Sequence, residues 1–184
     1  MQMMGSDFQF REKIAIAILG ASSWLGVQLV QKVSAHPWFT MAALCNEQNN
    51  EQNKERQSLL EKITPFTLAT EMYEPSIPLL LPLLPAQKYP LVFSTLQSEQ
   101  DFNIEKQWAD KGSVVISSPL LPHAATSELV VLKAIENDQI ARLNRPEVNA
   151  GLLIALPSPY EHARIAQEII SCAELLVRYG KIYW

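Results

Sequence analysis

The sequence predicts a doubly wound α/β fold, a mainly parallel sheet with helices on both faces. Three observations predict it. A continuous apolar run, Ile14 to Leu19, ends in Gly20. A helical pattern begins at Trp24, leaving room for a turn and nothing more. Short apolar runs and amphipathic stretches then keep alternating along the chain, the pattern of β-α-β units rather than of hairpins.

Each element follows from local pattern. Residues 1–12 are polar and mixed and read as a loose leader, with 13–184 as one domain. The run Ile14-Ala15-Ile16-Ala17-Ile18-Leu19 shows no polar alternation, as expected of a strand covered on both faces. Trp24 to Val33 sets Leu25, Leu29, Val30 and Val33 at helical spacing and stops near His36-Pro37. Phe39 to Cys45 is the next parallel strand and closes a β-α-β unit of about 30 residues. Asn46 to Arg56 is rich in Asn and Gln and reads as a solvated loop, or as the start of a helix running to Lys62. Pro65 to Pro85 is apolar but proline-rich and allows at most a short edge strand near Phe66 to Ala69.

Leu91 to Ser94 is a further buried strand, Glu99 to Lys111 a helix stopped by Gly112, and Ser113 to Ile116 the next strand. Thr126-Ser127-Glu128 has the form of a helix start for Leu129 to Ile135. Gly151 to Leu156 is a final short strand. Tyr160 to Tyr179 is a long amphipathic helix that can place Ile165, Ile169, Ala173, Leu176 and Val177 on one face, with Gly180 as its stop.

Charge and cysteine content exclude several function classes. The net charge of -4, from 15 basic and 19 acidic residues, argues against a nucleic-acid partner, which calls for a basic surface. Cys45 and Cys172 fit neither a C-x-x-C nor a zinc spacing and read as free thiols in a reducing compartment; no metal is expected. The longest apolar stretch after the first strand, Ile77 to Pro85, is too short to span a membrane and is broken by proline. The expectation is a cytoplasmic protein with no membrane partner.

The turn Gly20-Ala21-Ser22-Ser23-Trp24-Leu25-Gly26 joins the first strand to the first helix. A glycine there permits a tight turn and close approach of a diphosphate, which the helix N-terminus then favours through its free N–H groups and dipole. Two glycines at this spacing are weak evidence alone. The surroundings add to them. Lys13 to Gly26, His36-Pro37-Trp38-Phe39 and Ala42-Ala43-Leu44 resemble the opening of aspartate-semialdehyde dehydrogenases. Val92-Phe93-Ser94-Thr95-Leu96-Gln97-Ser98 is similar to that family's VFSALPS segment, and Gly112 to Ser118 to its G-x-x-VVSNA strand. Pro146-Glu147-Val148-Asn149 is similar to its PEVN segment, and Ala163 to Ile182 to its last helix.

The resemblance implies a Rossmann-like domain that binds NADP or NAD. By its alignment Gly20 makes the turn, and Ser22 sets a hydroxyl near the phosphates. Ser23, Trp24 and Leu25 offer backbone N–H groups, and Gly26 lets the helix pack on the sheet. Ser94 and Leu96 lie under the nicotinamide ribose.

The sequence departs from the family in three places. Ser23 stands where the family has glycine, which would strain the backbone if φ there were positive and would crowd the phosphates. Cys45-Asn46-Glu47-Gln48 follows the second strand where NADP enzymes carry a Ser and a basic residue, and Glu47 suits a ribose 2′-hydroxyl better than a 2′-phosphate. Pro159, in Leu156-Pro157-Ser158-Pro159-Tyr160, occupies the position of the family's nucleophilic cysteine. The substrate domain that follows that cysteine in the family has no counterpart before the closing helix, residues 160–182. His162 has no nucleophile to serve, His36 reads as a packing or capping residue, and His123 as an exposed loop residue.

The expectation is therefore a semialdehyde-dehydrogenase-like dinucleotide-binding domain with no catalytic residues of its own. Two alternatives stay open. One is a subunit, or a regulator of a full-length relative, that needs a partner chain for activity. The other is a binding or scaffold protein, which the apolar segment Pro75 to Pro85 suggests, acting through a relative or through self-association.

Overall fold

The computed structural model describes residues 12–21, 23–45, 89–96, 101–118, 129–132, 135–144, 151–156 and 162–184. Expectations for most of the leader, Ser22, 46–88, the helix start at Thr126, His123, the Pro146–Asn149 segment and Pro159 lie outside these residues. The elements are β1 (Ile14–Leu19), α1 (Trp24–Ser34), β2 (Phe39–Cys45), β3 (Leu91–Ser94), α2 (Asp101–Asp110), β4 (Val114–Ser117), β5 (Leu129–Val131), α3 (Asn137–Arg142), β6 (Leu152–Ala155) and α4 (His162–Arg178).

Among the described residues the six strands form one sheet in the order β2-β1-β3-β4-β6-β5. Every neighbouring pair is parallel. Crossovers between parallel strands are right-handed, so the direction of each step decides which face its helix covers. The steps β1 to β2 and β5 to β6 run one way along the sheet, and α1 and α3 lie on one face. The step β3 to β4 runs the other way and places α2 on the opposite face.

Side-chain alternation sorts the core accordingly. Ile14, Ile16, Ile18, Leu91, Phe93, Val114, Ile116, Leu152 and Ile154 pack with α1, α4 and Ile140 of α3. Ala17, Leu19, Val92, Val115, Leu153 and Ala155 pack with Trp108 and Ala109 of α2. β3, β4 and β6 are buried along their whole length, which is why they read as unbroken apolar runs.

The long helix expected at the end of the chain is α4, and it closes the first face. Ile165, Ala166, Ile169, Ile170, Cys172, Ala173, Leu176 and Val177 are all buried. Each fully buried Leu or Ile side chain contributes roughly 1.5–3 kcal/mol. Gly180, at φ 65°, ends the helix. Its amide donates to the Val177 carbonyl (3.0 Å) and the Lys181 amide to the Leu176 carbonyl (2.8 Å), the paired bonds of a Schellman stop. The Lys181 ammonium reaches the Leu143 carbonyl at 2.7 Å and ties this end to the residue after α3.

His36 is the packing residue the sequence suggested. Its ring stacks on Phe39, with centroids 4.3 Å apart. The Trp38 amide donates to Nδ1 (3.1 Å), so the proton sits on Nε2, which donates to Glu174 Oε1 of α4 at 2.9 Å. Arg178 lies over the Trp38 ring at 5.5 Å. These contacts pin α4 to the turn after α1.

One expectation is corrected. Leu129 to Ile135 does not continue a helix: Leu129–Val131 is β5, hydrogen-bonded in parallel to Leu153–Ala155 of β6. Leu-Val-Val suits a strand, and an unpaired flank of β6 outweighs a capping signal three residues upstream. The six-residue helix α3 carried no signal strong enough to be anticipated.

Candidate functional site

The steps from β1 and β3 leave to opposite faces, so the carboxyl ends of these two adjacent strands flank a crevice. In open α/β sheets this switch point is where ligands bind. At this point the Gly20 turn follows β1 and Thr95-Leu96 follow β3, side by side, with Leu19 and Ser94 paired in register at the strand ends.

Gly20 has φ 73°, and a Cβ there would run into the Thr95 hydroxyl. Both the turn and the close approach therefore require glycine. Gly26 meets a second constraint: a Cβ would lie 2.5 Å from the carbonyl oxygens of Gly20 and Ala21, because α1 sits directly on its own turn.

Ser23 is the N-cap of α1, with φ -69° and ψ 161°. The strain considered for a serine here does not arise, because the backbone is extended rather than left-handed. Its Oγ accepts from the Gly26 amide (2.9 Å), its own amide donates to the Gly20 carbonyl (3.0 Å), and the Val27 amide donates to its carbonyl (2.9 Å). The expected Ser23 N–H group is thus spent within the turn. Among the described residues the Leu25 amide has no backbone partner. Trp24, the first residue of α1, is 55% exposed.

Thr95, which sequence reasoning passed over, braces the crevice. Its amide continues the sheet ladder to the Leu19 carbonyl (3.0 Å). Its Oγ1 shares one proton between the carbonyls of Leu19 (3.0 Å) and Gly20 (2.7 Å) and accepts from Ser23 Oγ at 2.8 Å.

Beneath lies a buried polar cluster. Ser94 and Ser117 are partners in register at the ends of β3 and β4. Both hydroxyls donate to Glu105 Oε1 of α2 at 2.6 Å, and Leu96 N donates to Ser94 Oγ at 3.3 Å. Glu105 is 1% exposed, and a buried acid is tolerated only with such bonds. Ser94, which the resemblance places under the nicotinamide ribose, stands at the carboxyl end of β3 with its hydroxyl turned to Glu105. Leu96, nearly buried, rests against the Gly20 turn, with its Cδ2 3.4 Å from where a Gly20 Cβ would stand. A signal for the cluster was present: Glu105 follows Phe102 and precedes Trp108 by three residues, on the inward stripe of α2.

The cysteines stand apart from this site. Cys172 is fully buried in the middle of α4, and burial pushes its thiol up to about 12. Of Cys45 the structure gives the backbone, paired with Leu19 on the β2 side of β1, away from β3. Among the described residues no group of His, Cys, Asp and Glu could hold a metal ion, and no helix is long and apolar enough to cross a membrane.

No family model matches the chain, and no characterised protein matches it by sequence. Its fold is found among solved structures. The aspartate semialdehyde dehydrogenase of Candida albicans, solved with NADP, superposes with a TM-score of 0.59 at 18% identity, over 78% of this chain. The likeness is one of fold: a Rossmann-like α/β domain. The chain spans 42% of the length of that enzyme.

Proposed function

We propose that residues 13–184 form a dinucleotide-binding domain of the semialdehyde-dehydrogenase type that holds NADP or NAD and performs no chemistry by itself. The observation that carries this reading is the position of the Gly20 turn, at the carboxyl end of a central parallel strand, where β1 and β3 part. A diphosphate there would meet the positive end of the α1 dipole and the Leu25 amide, with Gly20 allowing close approach and Leu96 flooring the crevice. The nicotinamide ring, when bound, would supply hydride chemistry; this chain's residues bind and orient it.

Two observations support the non-catalytic part. The Cys172 thiol is protonated and enclosed at neutral pH, and a thiol rather than a thiolate is a poor nucleophile. β6 is followed by α4 across residues 156–161, which leaves no space for an inserted substrate domain. Isothermal titration with NADP and with NAD tests the binding; folded protein that releases no heat with either removes the reading. The chain's 42% share of the enzyme it resembles favours a second reading, a subunit completed by a partner. Phosphate-dependent NADP reduction measured with and without a full-length relative separates the two.

A further inference from the structure

Two residues after α1 ends, an imidazole does what Asn or Asp does in an Asx turn. The Trp38 amide donates to His36 Nδ1 at 3.1 Å, a bond from a backbone N–H to the side chain two residues before it. Nδ1 can accept only while it carries no proton, so the bond exists for one charge state of the ring. The rest of the ring is committed as well. Nε2 donates to Glu174 Oε1 at 2.9 Å, the ring stacks on Phe39 at 4.3 Å, and the residue is 9% exposed. A second ring proton would set two donors, Nδ1–H and the Trp38 N–H, against each other while Glu174 and Phe39 hold the ring in place.

The charges around the ring do not forbid that proton. The Glu174 carboxylate of α4 favours it, and so does the negative end of the α1 dipole. Lys13, just before β1, opposes it, with its ammonium on the His36 carbonyl at 3.1 Å. Arg178 of α4 lies over the Trp38 ring, and Lys32 in the last turn of α1 donates to Gln167 at 3.1 Å. β2 contributes Phe39 and no charged side chain. What yields is the turn. Pro37 is exposed and its ring fixes φ, so the peptide between Pro37 and Trp38 can rotate about the Pro37 ψ and give its N–H to water. The Trp38 carbonyl accepts from the Ile14 amide at 2.8 Å and anchors the far side of the residue to β1.

We propose that His36 and Trp38 form a proton-operated switch at the amino end of the sheet. With His36 neutral, the Trp38 amide is held and the indole lies against Arg178 at the end of α4. With His36 protonated, the ring keeps Glu174 and drops the Trp38 amide, and the indole leaves Arg178. The last turn of α4 thereby senses the charge of one buried imidazole. The switch does not depend on the dinucleotide reading.

The test is an NMR titration of wild type and His36→Asn from about pH 8 to about pH 5, the range in which histidines change charge. In wild type the His36 ring signals, the Trp38 amide and indole N–H and the Arg178 Nε–H are expected to shift together, with one midpoint. Circular dichroism at both ends of the range should show the same helix content, which separates the switch from acid unfolding. Asn offers an acceptor at the same place in the turn that does not titrate, so in His36→Asn the Trp38 signals should stay constant. A Trp38 amide that stays fixed while the His36 ring titrates overturns the switch. So does a ring that takes no proton before the chain unfolds, and so does a His36→Asn protein that responds as wild type does. The wild-type comparison decides by itself if His36→Asn does not fold.

Discussion

On the α1/α4 face of the sheet, Ile14, Ile16 and Ile18 of β1 share an apolar core with Leu29, Val30, Ile169 and Leu176. On the α2 face the same strand offers Ala17 and Leu19, and the ends of β3 and β4 offer Ser94 and Ser117, closed by Glu105. The first face holds by apolar packing, which is strong in sum and tolerant of direction. The second holds its crevice end by short hydrogen bonds, which fix direction and leave little tolerance. Stability and site geometry are therefore supported by opposite faces of one sheet.

The largest expected effect breaks the first face. Ile169→Ala removes a fully buried side chain from the centre of α4 and should cost about 2–5 kcal/mol, read from urea unfolding. Nucleotide affinity of the remaining folded protein should be unchanged. A parallel fall in affinity would mean that the two faces are coupled and that the contrast drawn here is wrong.

A smaller effect sharpens the second face. Glu105→Ala leaves two buried serine hydroxyls without their acceptor and should cost about 1–3 kcal/mol. Glu105→Gln keeps an acceptor oxygen and should recover much of that. The distinguishing readout is the Leu96 amide, which donates to Ser94 Oγ: its hydrogen exchange should quicken in the alanine variant well beyond the change in global stability. Equal protection in both variants would show that the cluster does not hold the crevice wall.

The sequence made the sheet legible because its strands are buried on both sides. Ile14–Leu19, Phe39–Cys45 and Leu91–Ser94 are apolar runs whose ends coincide with the observed strands. β5 was hidden because three apolar residues carry no period, and only the flank of β6 decides their state. Of the site, Gly20 and Gly26 were readable because sterics leave no other residue. The Ser23–Thr95 bond was not, since it joins residues 72 apart and depends on which way two hydroxyls turn. The resemblance placed Ser94 under the nicotinamide ribose and carried no sign of what its hydroxyl binds. Its acid partner lies on a helix eleven residues on.

The smallest prediction tests how dry the α1/α4 face is. Burial raises the Cys172 thiol from 9.0 to about 12, so the folded chain holds this proton more tightly than the unfolded chain does. The resulting stability is fully present below the unfolded value and is lost as pH rises from there through the folded value. By about pH 10 the thiol's share of the loss should reach roughly 1 kcal/mol, since the unfolded state ionises and the folded state does not. Lysines and tyrosines titrate in the same range, so the measurement is a difference: unfolding free energy against pH for wild type and Cys172→Ala. The alanine variant starts lower for its lost packing but should decline less steeply above about pH 9. Parallel curves would mean that water reaches the thiol, and that α4 covers this face less completely than its row of buried side chains implies.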